Sequence, residues 1–438
     1  MKLLQHKNQR TSKLIFNAVS ALIARVVNLL VNIFSLPLLL SYLGHPTFGV
    51  FAMIISITSM ISFSDLGLSL GLLNNVPKYK ADNDPNKLVK VITGSFVIVS
   101  IVSIILLTLF LMIYSSTNWA ELLNVHDSVS REAVPKMVFA FIVIYLLGAP
   151  FNVSSNYLIG NQQGFYVETG RAIGNLIMLL LIFIAIRLKM QPYVLVAITL
   201  ASTTLITILT YFILFTKGQS SLRPRLKYFE WKTTKSLFSD SSRYFILQIF
   251  TLLLVSLDPI LIGKILNTES VTKYSVIYRI ATIVSLPSVL LVSQMLPSLN
   301  DAFISNDKEW IKNAIDKILY SSLIYIAFMG ILFCLVGNKI IVLWLGNSFD
   351  FSINQWLVIT IFLTMLILNS IFSMIFLMPS FLKFTLTIFP ISVVGFFILK
   401  IYLLNHYGLS EMIGFGSAFY LMAYCLPCLL YLKTTKFI

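Results

Sequence analysis

Polar side chains occur inside two long apolar stretches near the start of this chain. Arg25, Asn28 and Asn32 lie in the first stretch. Asp65 lies in the second. An ionised group inside a segment that crosses hydrocarbon is costly, and it usually faces a helix-bundle interior or a water-filled cavity. These four residues are therefore candidates for the wall of a pathway for a polar molecule, and none is predicted to be catalytic.

Their spacing predicts which of them share a surface. Asn28 and Asn32 are four residues apart, and Arg25 precedes Asn28 by three, so all three lie on one helix face. Arg25 and Asp65 lie about 17 Å and about 12 Å from the predicted inner ends of their helices, at the helical rise per residue. They could therefore form an ion pair. Simple polar contact between helices is an equally good interpretation of the two asparagines.

The second half of the chain carries a similar set. Asp258 lies near the predicted outer end of the seventh apolar segment, and Arg279 lies about one and a half turns from the outer end of the eighth. The two could meet, with Lys264 close above them. One interpretation is that each acid–base pair neutralises itself and joins two helices. The other is that the acid of each pair competes with anionic cargo for the arginine. Only the second arrangement gives the differential contact that shifts a conformational equilibrium.

The composition predicts the elements that must hold these residues. Only 11% of residues are charged and 58% are apolar, whereas a soluble protein has roughly 25% charged residues. The chain is predicted to be an all-α polytopic membrane protein, because its apolar runs approach or exceed the ~20 residues needed to span hydrocarbon. The predicted transmembrane segments are 14–40, 48–73, 91–113, 137–159, 172–188, 193–215, 244–263, 274–296, 318–337, 356–378, 384–404 and 413–432.

The distribution of Lys and Arg predicts the orientation. With both termini in the cytoplasm, 22 of the 32 basic residues lie in inner segments, 7 lie in outer segments, and the others lie within helices. Cytoplasmic loops of bacterial membrane proteins carry such an excess. The net charge of +15 is therefore attributed to topology rather than to a nucleic-acid partner. We expect a multi-pass protein of the bacterial cytoplasmic (inner) membrane.

The most basic loop, 216–243, divides the chain into two predicted six-helix lobes, 1–215 and 244–438. A short repetition supports this division, because Leu36-Pro37 ends the first segment and Asp258-Pro259 ends the seventh. Repeats of six helices are parallel and related by an axis along the membrane normal. We therefore expect two lobes around a central cavity.

Several kinds of function are disfavoured. The sequence contains no Gly-Lys-Ser or Gly-Lys-Thr of a nucleotide-binding P-loop. Cys425 and Cys428 lie inside the last apolar segment, where buried thiols beside a proline kink are expected rather than a redox or zinc site. The four histidines have no metal-binding spacing. We therefore predict no metal, no cofactor and no enzymatic activity.

A set of motifs resembles the polysaccharide-unit flippases, including the O-antigen (Wzx-type) flippases, of the multidrug/oligosaccharidyl-lipid/polysaccharide exporter superfamily. The resemblance covers nearly the whole chain, but Thr272 stands where family members often have glycine. The motifs are Tyr42-Leu43-Gly44, Phe48-Gly49-Val50-Phe51, Phe63-Ser64-Asp65-Leu66-Gly67-Leu68, Tyr157-Leu158-Ile159-Gly160 with Gln162 and Asn175, Tyr274 with Arg279-Ile280, Pro297-Ser298-Leu299, and Leu345-Gly346-Asn347.

The resemblance implies alternating access by two six-helix lobes. The implied cargo is an oligosaccharide on undecaprenyl diphosphate, moved from the cytoplasmic to the periplasmic leaflet. Arg25 and Arg279 are the first candidates for contact with the diphosphate or with acidic sugars, and Lys264 would lie near the outer exit. Coupling to H+ or Na+ and hand-over to a polymerase of the same pathway would fit this function.

Three alternatives remain. A multidrug exporter of the same superfamily would favour acids in its cavity, whereas arginines balance the acids here. A lipid II flippase would usually carry two further helices and a more basic first helix. A membrane polymerase of the same glycan pathway would be an enzyme with a large outer loop, and the longest predicted outer segment here is only about 114–136.

Overall fold

The computed structural model describes residues 2–61, 67–81, 84–305, 307–346, 349–376 and 381–434. Within these ranges all regular structure is helical. The chain divides into two compact units, Met1–Gln248 (unit 1) and Ile249–Ile438 (unit 2).

Unit 1 is built from the first eight α-helices and most of the ninth. α1 packs against α7, and α8 packs against both α5 and α7. A five-residue π-helical turn, Leu214–Gly218, continues α8. The helices are α1 (Lys2–Ile61), α2 (Leu68–Ala81), α3 (Pro85–Tyr114), α4 (Trp119–Leu122), α5 (Ser128–Gly148), α6 (Asn152–Gly160), α7 (Gly164–Arg187), α8 (Pro192–Ile213) and α9 (Trp231–Thr251).

Unit 2 is arranged around α13, which contacts α11, α12 and α15. Two further π-helical turns occur here: Leu252–Ser256 follows α9, and Leu421–Cys425 joins the last two helices. The helices are α10 (Asp258–Ile265), α11 (Thr268–Ser305), α12 (Lys308–Leu345), α13 (Ile353–Phe376), α14 (Leu382–His406), α15 (Leu409–Tyr420) and α16 (Leu426–Thr434).

The described residues contain ten helices that are long and apolar enough to span a membrane, or eleven if the bent pair Phe245–Ser256 and Asp258–Ile265 forms one span. About twelve were expected. The difference lies in α1, where the helix of predicted segment 14–40 and the helix that begins predicted segment 48–73 meet at a kink at Gly44 and count as one span. Gly44 has φ of 71°, a conformation that glycine adopts without steric cost. The protein is thus an all-α, multi-pass membrane protein with two lobes, as predicted.

The basic segment 216–243 is more ordered than a loop. Two 3-10 turns, Ser220–Leu222 and Leu226–Tyr228, precede α9, which begins at Trp231 rather than at the predicted residue 244. Leu222 is buried in a core cluster that also contains Phe215. The segment is therefore folded onto unit 1.

Candidate functional site

A polar cavity of about 430 Å³ lies inside unit 1, between α1 and α5–α8. We call it the N-lobe cavity. Its volume falls in the range of roughly 300–1,000 Å³ that is usual for ligand pockets. Most of its polar groups come from α7 and α8. The polar lining residues are Asn28, Tyr145, Asn152, Ser155, Glu168, Arg171, Asn175, Thr203, Thr204, Thr207 and Thr210.

α7 supplies the charged groups of this cavity. Glu168, Arg171 and Asn175 follow one another at spacings of three and four, which places them on one helix face. Arg171 Nη1 lies 3.6 Å from Glu168 Oε1, and the two side chains are 57% and 26% exposed. A tight hydrogen bond between such groups measures about 2.7–2.9 Å. The guanidinium donors of Arg171 can therefore bind a ligand without breaking a short bond.

α8 contributes a row of hydroxyl groups. The hydroxyls of Thr203, Thr207 and Thr210 donate to backbone carbonyls one turn earlier in the same helix, at 3.1, 3.1 and 2.8 Å. A hydroxyl oxygen that donates its proton keeps two acceptor lone pairs. This wall therefore presents hydrogen-bond acceptors, opposite in character to the donors of Arg171.

An amide pair closes the cavity towards α1. Asn175 Nδ2 donates to Asn28 Oδ1 at 2.8 Å. Asn32 Nδ2 donates to the Asn28 carbonyl at 2.9 Å, within α1. Asn28 thus makes a polar contact between helices, which is one of the two interpretations left open for the asparagines. Asn28 also lines the cavity.

The other predicted path residues lie elsewhere. Arg25 and Asn32 are exposed on α1 but do not line the N-lobe cavity. Asp65 lies outside the described residues, so its pairing with Arg25 stays a prediction. Lys264 is exposed at the end of α10, and Arg279 is partly exposed on α11. Their contact with a substrate also stays a prediction.

In unit 2, Asp258 has a different ionic partner from the one we expected. Lys400 Nζ lies 2.6 Å from Asp258 Oδ1, and the two side chains are 1% and 2% exposed. The Tyr274 hydroxyl donates to Asp258 Oδ2 at 2.7 Å. Both carboxylate oxygens thus have partners. The sequence predicts Arg279 as the ionic partner, whereas α14 brings Lys400 to Asp258 instead. We call Asp258, Lys400 and Tyr274 the buried network.

The buried network includes a backbone group of the π-helical turn. Lys400 Nζ also donates to the Leu254 carbonyl and lies 4.1 Å from the Phe396 ring centroid. In an i→i+5 turn the Leu254 carbonyl would receive its bond from residue 259. That residue is Pro259, which has no N–H. Lys400 therefore supplies a donor to a carbonyl that cannot receive an i→i+5 backbone bond.

Hydropathy did not reveal the charged residues of the N-lobe cavity, for an identifiable reason. Glu168 and Arg171 lower the hydropathy, so the fifth segment was predicted to begin at 172, whereas α7 begins at Gly164. A predicted segment that began at residue 164 would have placed Glu168, Arg171 and Asn175 on one helix face. The threonines of α8 have helical spacing too, but threonine is ordinary in apolar helices and gives no signal alone.

Among the described residues, no group of three or more His, Cys, Asp or Glu side chains could hold a metal ion. The polar groups of the N-lobe cavity can instead bind hydroxyl, amide and anionic groups by hydrogen bonds. This arrangement suits recognition and passage of a polar molecule.

Comparison with solved structures defines the fold class of the protein. The fold matches a multidrug resistance MATE family transporter of the MOP superfamily in an inward-facing conformation, with a TM-score of 0.75, 15% identity and 94% of each chain covered. It also matches a MOP superfamily transporter from Pyrococcus furiosus, whose binding pocket has reversed polarity, with a TM-score of 0.72, 15% identity and coverage of 95% and 94%. The chain therefore has the MOP-superfamily transporter fold.

The sequence identifies the family within that class. Residues 14–301 match the family described as Polysaccharide biosynthesis protein, and the chain belongs to that family. The predicted resemblance to a polysaccharide-biosynthesis family is thereby confirmed. No curated protein sequence gives a significant match.

Proposed function

We propose that this protein is a flippase for oligosaccharide units linked to undecaprenyl diphosphate. It would carry them from the cytoplasmic to the periplasmic leaflet of the bacterial inner membrane by alternating access, without covalent change to the cargo. The units would serve O-antigen or similar glycan synthesis. Family membership and fold support transport in polysaccharide biosynthesis.

The observation that carries this proposal is the mixed chemistry of the N-lobe cavity. Sugar hydroxyls both donate and accept hydrogen bonds, which the threonine oxygens and asparagine amides can reciprocate. Arg171 adds a planar cation suited to a diphosphate or an acidic sugar. A diphosphate crossing hydrocarbon alone would bury uncompensated charge at a prohibitive cost. A cationic polar route lowers that cost while the lipid tail stays in the bilayer.

The positive-inside distribution supports a cytoplasmic location for the first turns of α7. Arg171 is seven residues from the start of α7, or about 11 Å along the helix. The cavity would then receive cargo from the cytoplasmic side. Arg25, Arg279 and Lys264 remain proposed contacts further along the path, and energy coupling by H+ or Na+ and hand-over to a polymerase remain parts of the same proposal.

The test uses a strain that lacks this gene and carries it back on a plasmid. We expect undecaprenyl-linked units to accumulate on the cytoplasmic face without the gene, as shown by external glycosidase treatment of spheroplasts followed by lipid extraction. Arg171→Gln should reduce flipping by about tenfold to a hundredfold, because a hydrogen bond to a charged group contributes about 1.5–3 kcal/mol. Arg171→Lys should retain part of the activity.

Arg187→Gln is the matched control, because Arg187 is exposed at the opposite end of the same helix. It should flip units at the wild-type rate. Normal arrival of unpolymerised units on the outer face in the deletion strain would contradict the flippase proposal and favour a polymerase. Equal activity of Arg171→Gln and wild type would remove Arg171 from the site.

A second candidate is export of cationic compounds, because Glu168 places a carboxylate in the same cavity. Glu168→Gln separates the two functions. A cation exporter should lose drug resistance in this variant and keep it in Arg171→Gln. A flippase of anionic lipid-linked cargo should show the greater loss in Arg171→Gln.

A further inference from the structure

The folded segment between α8 and α9 presents a distinctive surface. We define the linker surface by its exposed residues: Arg223, Arg225, Leu226, Lys227, Trp231 and Lys232. It belongs entirely to unit 1. None of these residues lines the N-lobe cavity, so that cavity does not explain the composition of the surface.

Three contacts fix this segment near the membrane boundary. Leu222 is buried in the cluster that contains Phe215, at the end of α8. The Tyr157 hydroxyl of α6 donates to the Gln219 side chain. Lys90, in the second turn of α3, forms an ion pair with Glu230 at 3.1 Å. Because α3 and α8 are spanning helices, these contacts hold the linker surface beside the helix ends, at the level of the lipid headgroups.

Large apolar side chains of the linker surface are unusually exposed. Leu226 is 79% exposed and Trp231 is 61% exposed. Tryptophan is enriched at membrane–water interfaces, where its ring lies among the headgroups. An exposed leucine on a segment anchored beside the bilayer gains free energy by entering the headgroup–acyl boundary.

The charges around these apolar residues are nearly all positive. Residues 217–236 contain six Lys and Arg and one acidic residue, Glu230. Glu230 is already paired with Lys90. Basic residues held at the cytoplasmic surface of a membrane attract anionic lipids, and this attraction decays within a Debye length. The positive-inside rule explains the number of charges but not the apolar residues set between them.

We propose that the linker surface binds anionic phospholipid headgroups of the adjacent leaflet, with Leu226 and Trp231 inserted at the headgroup–acyl boundary. Arg223, Arg225 and Lys227 neutralise the headgroups. The inference concerns the bilayer around the transporter and does not depend on the identity of the cargo.

The test measures the membrane depth of residue 226 in the full-length protein. Leu226→Cys, in a Cys334→Ser background, carries a spin label, since Cys425 and Cys428 are buried. The protein is reconstituted in vesicles of phosphatidylcholine alone or mixed with phosphatidylglycerol. We expect higher accessibility to oxygen than to a water-soluble nickel complex, mainly in the anionic vesicles. Each arginine or lysine replaced by glutamine should weaken the preference for anionic lipid about fivefold, and high salt should reduce it.

The start of α12 provides a matched control. Trp310 is 40% exposed there, beside the exposed Lys312, but Asp307 and Glu309 offset the positive charge. A label at Trp310→Cys should show the same depth in both kinds of vesicle. Exposure of residue 226 to water in both kinds of vesicle would overturn the proposal and leave a protein partner as the better explanation. Insertion to the same depth in both kinds of vesicle would overturn the role of the arginines and lysine.

Discussion

The two units treat their polar side chains in opposite ways. In unit 1, Arg171 and Glu168 are partly exposed in a cavity and lie 3.6 Å apart. In unit 2, Asp258 and Lys400 are almost completely buried and lie 2.6 Å apart. The first pair keeps hydrogen-bonding capacity for a ligand, whereas the second uses that capacity internally. The contrast supports the proposed ligand contact at the first pair and a structural role for the buried network.

The short sequence repetition makes the contrast sharper. The stretch that begins at Leu36 in α1 aligns with the stretch that begins at Asp258 in α10. Leu36 is 1% exposed and apolar, while its counterpart is an acid that needs Lys400 as a partner. The two halves therefore share a helical scaffold, but only the second carries a charge at this position.

Breaking the buried network should have the largest effect. Lys400→Met leaves the Asp258 carboxylate buried without a cation, and removal of one partner of such a pair costs about 3–5 kcal/mol. We expect this loss in the free energy of unfolding of the purified protein, measured by denaturant titration in micelles. Arg171→Met, at a partly exposed pair, should cost about 1 kcal/mol or less.

Two variants control this experiment. Lys383→Met removes an exposed lysine from the same helix, α14, and should change stability by no more than about 0.5 kcal/mol. The double variant Asp258→Asn with Lys400→Met should recover much of the loss, because neither residue then carries a charge. A Lys400→Met protein as stable as Lys383→Met would show that the network is not fixed by its charges.

Glycine substitutions should give an intermediate effect that differs between the units. A Cβ at Gly337 would lie 2.6 Å from the Trp356 ring, whose Nε1 donates to Asn338 Oδ1 at 2.8 Å. This ring cannot move easily, so Gly337→Ala should cost about 1–3 kcal/mol.

At Gly148 the added Cβ would lie 2.3 Å from the Thr204 methyl group. Thr204 lines the N-lobe cavity, so its side chain has room to rotate. Gly148→Ala should therefore cost less than Gly337→Ala, when thermal unfolding of both proteins is followed under identical conditions. The reverse order would mean that the cavity wall is packed as tightly as the core of unit 2.

The smallest effect concerns the cap of α5 in unit 1. Asp127 accepts hydrogen bonds from the Ser130 hydroxyl at 2.7 Å and the Ser130 amide at 2.9 Å. These bonds lower the pKa of Asp127 below its usual value. Asp127→Ala should cost about 1 kcal/mol near pH 7. The contribution is present above the unfolded pKa of about 3.9 and is lost as pH falls through the lower folded pKa.

The free energy of unfolding of the wild type and of Asp127→Ala, measured across this pH range, checks the prediction. Asp127→Asn keeps an acceptor for the cap without a titrating group, so its stability should not acquire this acid dependence. The assignment would be contradicted if the stability deficit of Asp127→Ala persisted unchanged well below about pH 4, the ordinary carboxyl pKa.

Hydropathy was sufficient to predict a two-lobed helical membrane protein with about twelve spans, because the cost of burying backbone in lipid allows few alternatives. The predicted link between the first two segments corresponds to the kink at Gly44, where two helices meet. The motifs were also sufficient for a polysaccharide-biosynthesis family, which the family comparison confirms.

The partners of the charged residues could not be predicted in the same way. Lys400 and Asp258 are 142 residues apart, and only the packing of α14 against the π-helical turn and α10 brings them together. A sequence pattern that repeats every few residues carries no information about such a contact. Arg171 was missed because its own charge obscured the start of the helix that carries it.

The π-helical turn at Leu252–Ser256 sets the register of everything that follows it in this span. Such a turn holds one residue more than an α-helical turn, so deleting one residue there would restore regular winding and rotate the following helix by about 100°. Asp258 would then be carried away from Lys400, together with every other side chain of α10. A single-residue deletion that leaves composition and hydropathy almost untouched would thus change which face of this span meets its neighbours.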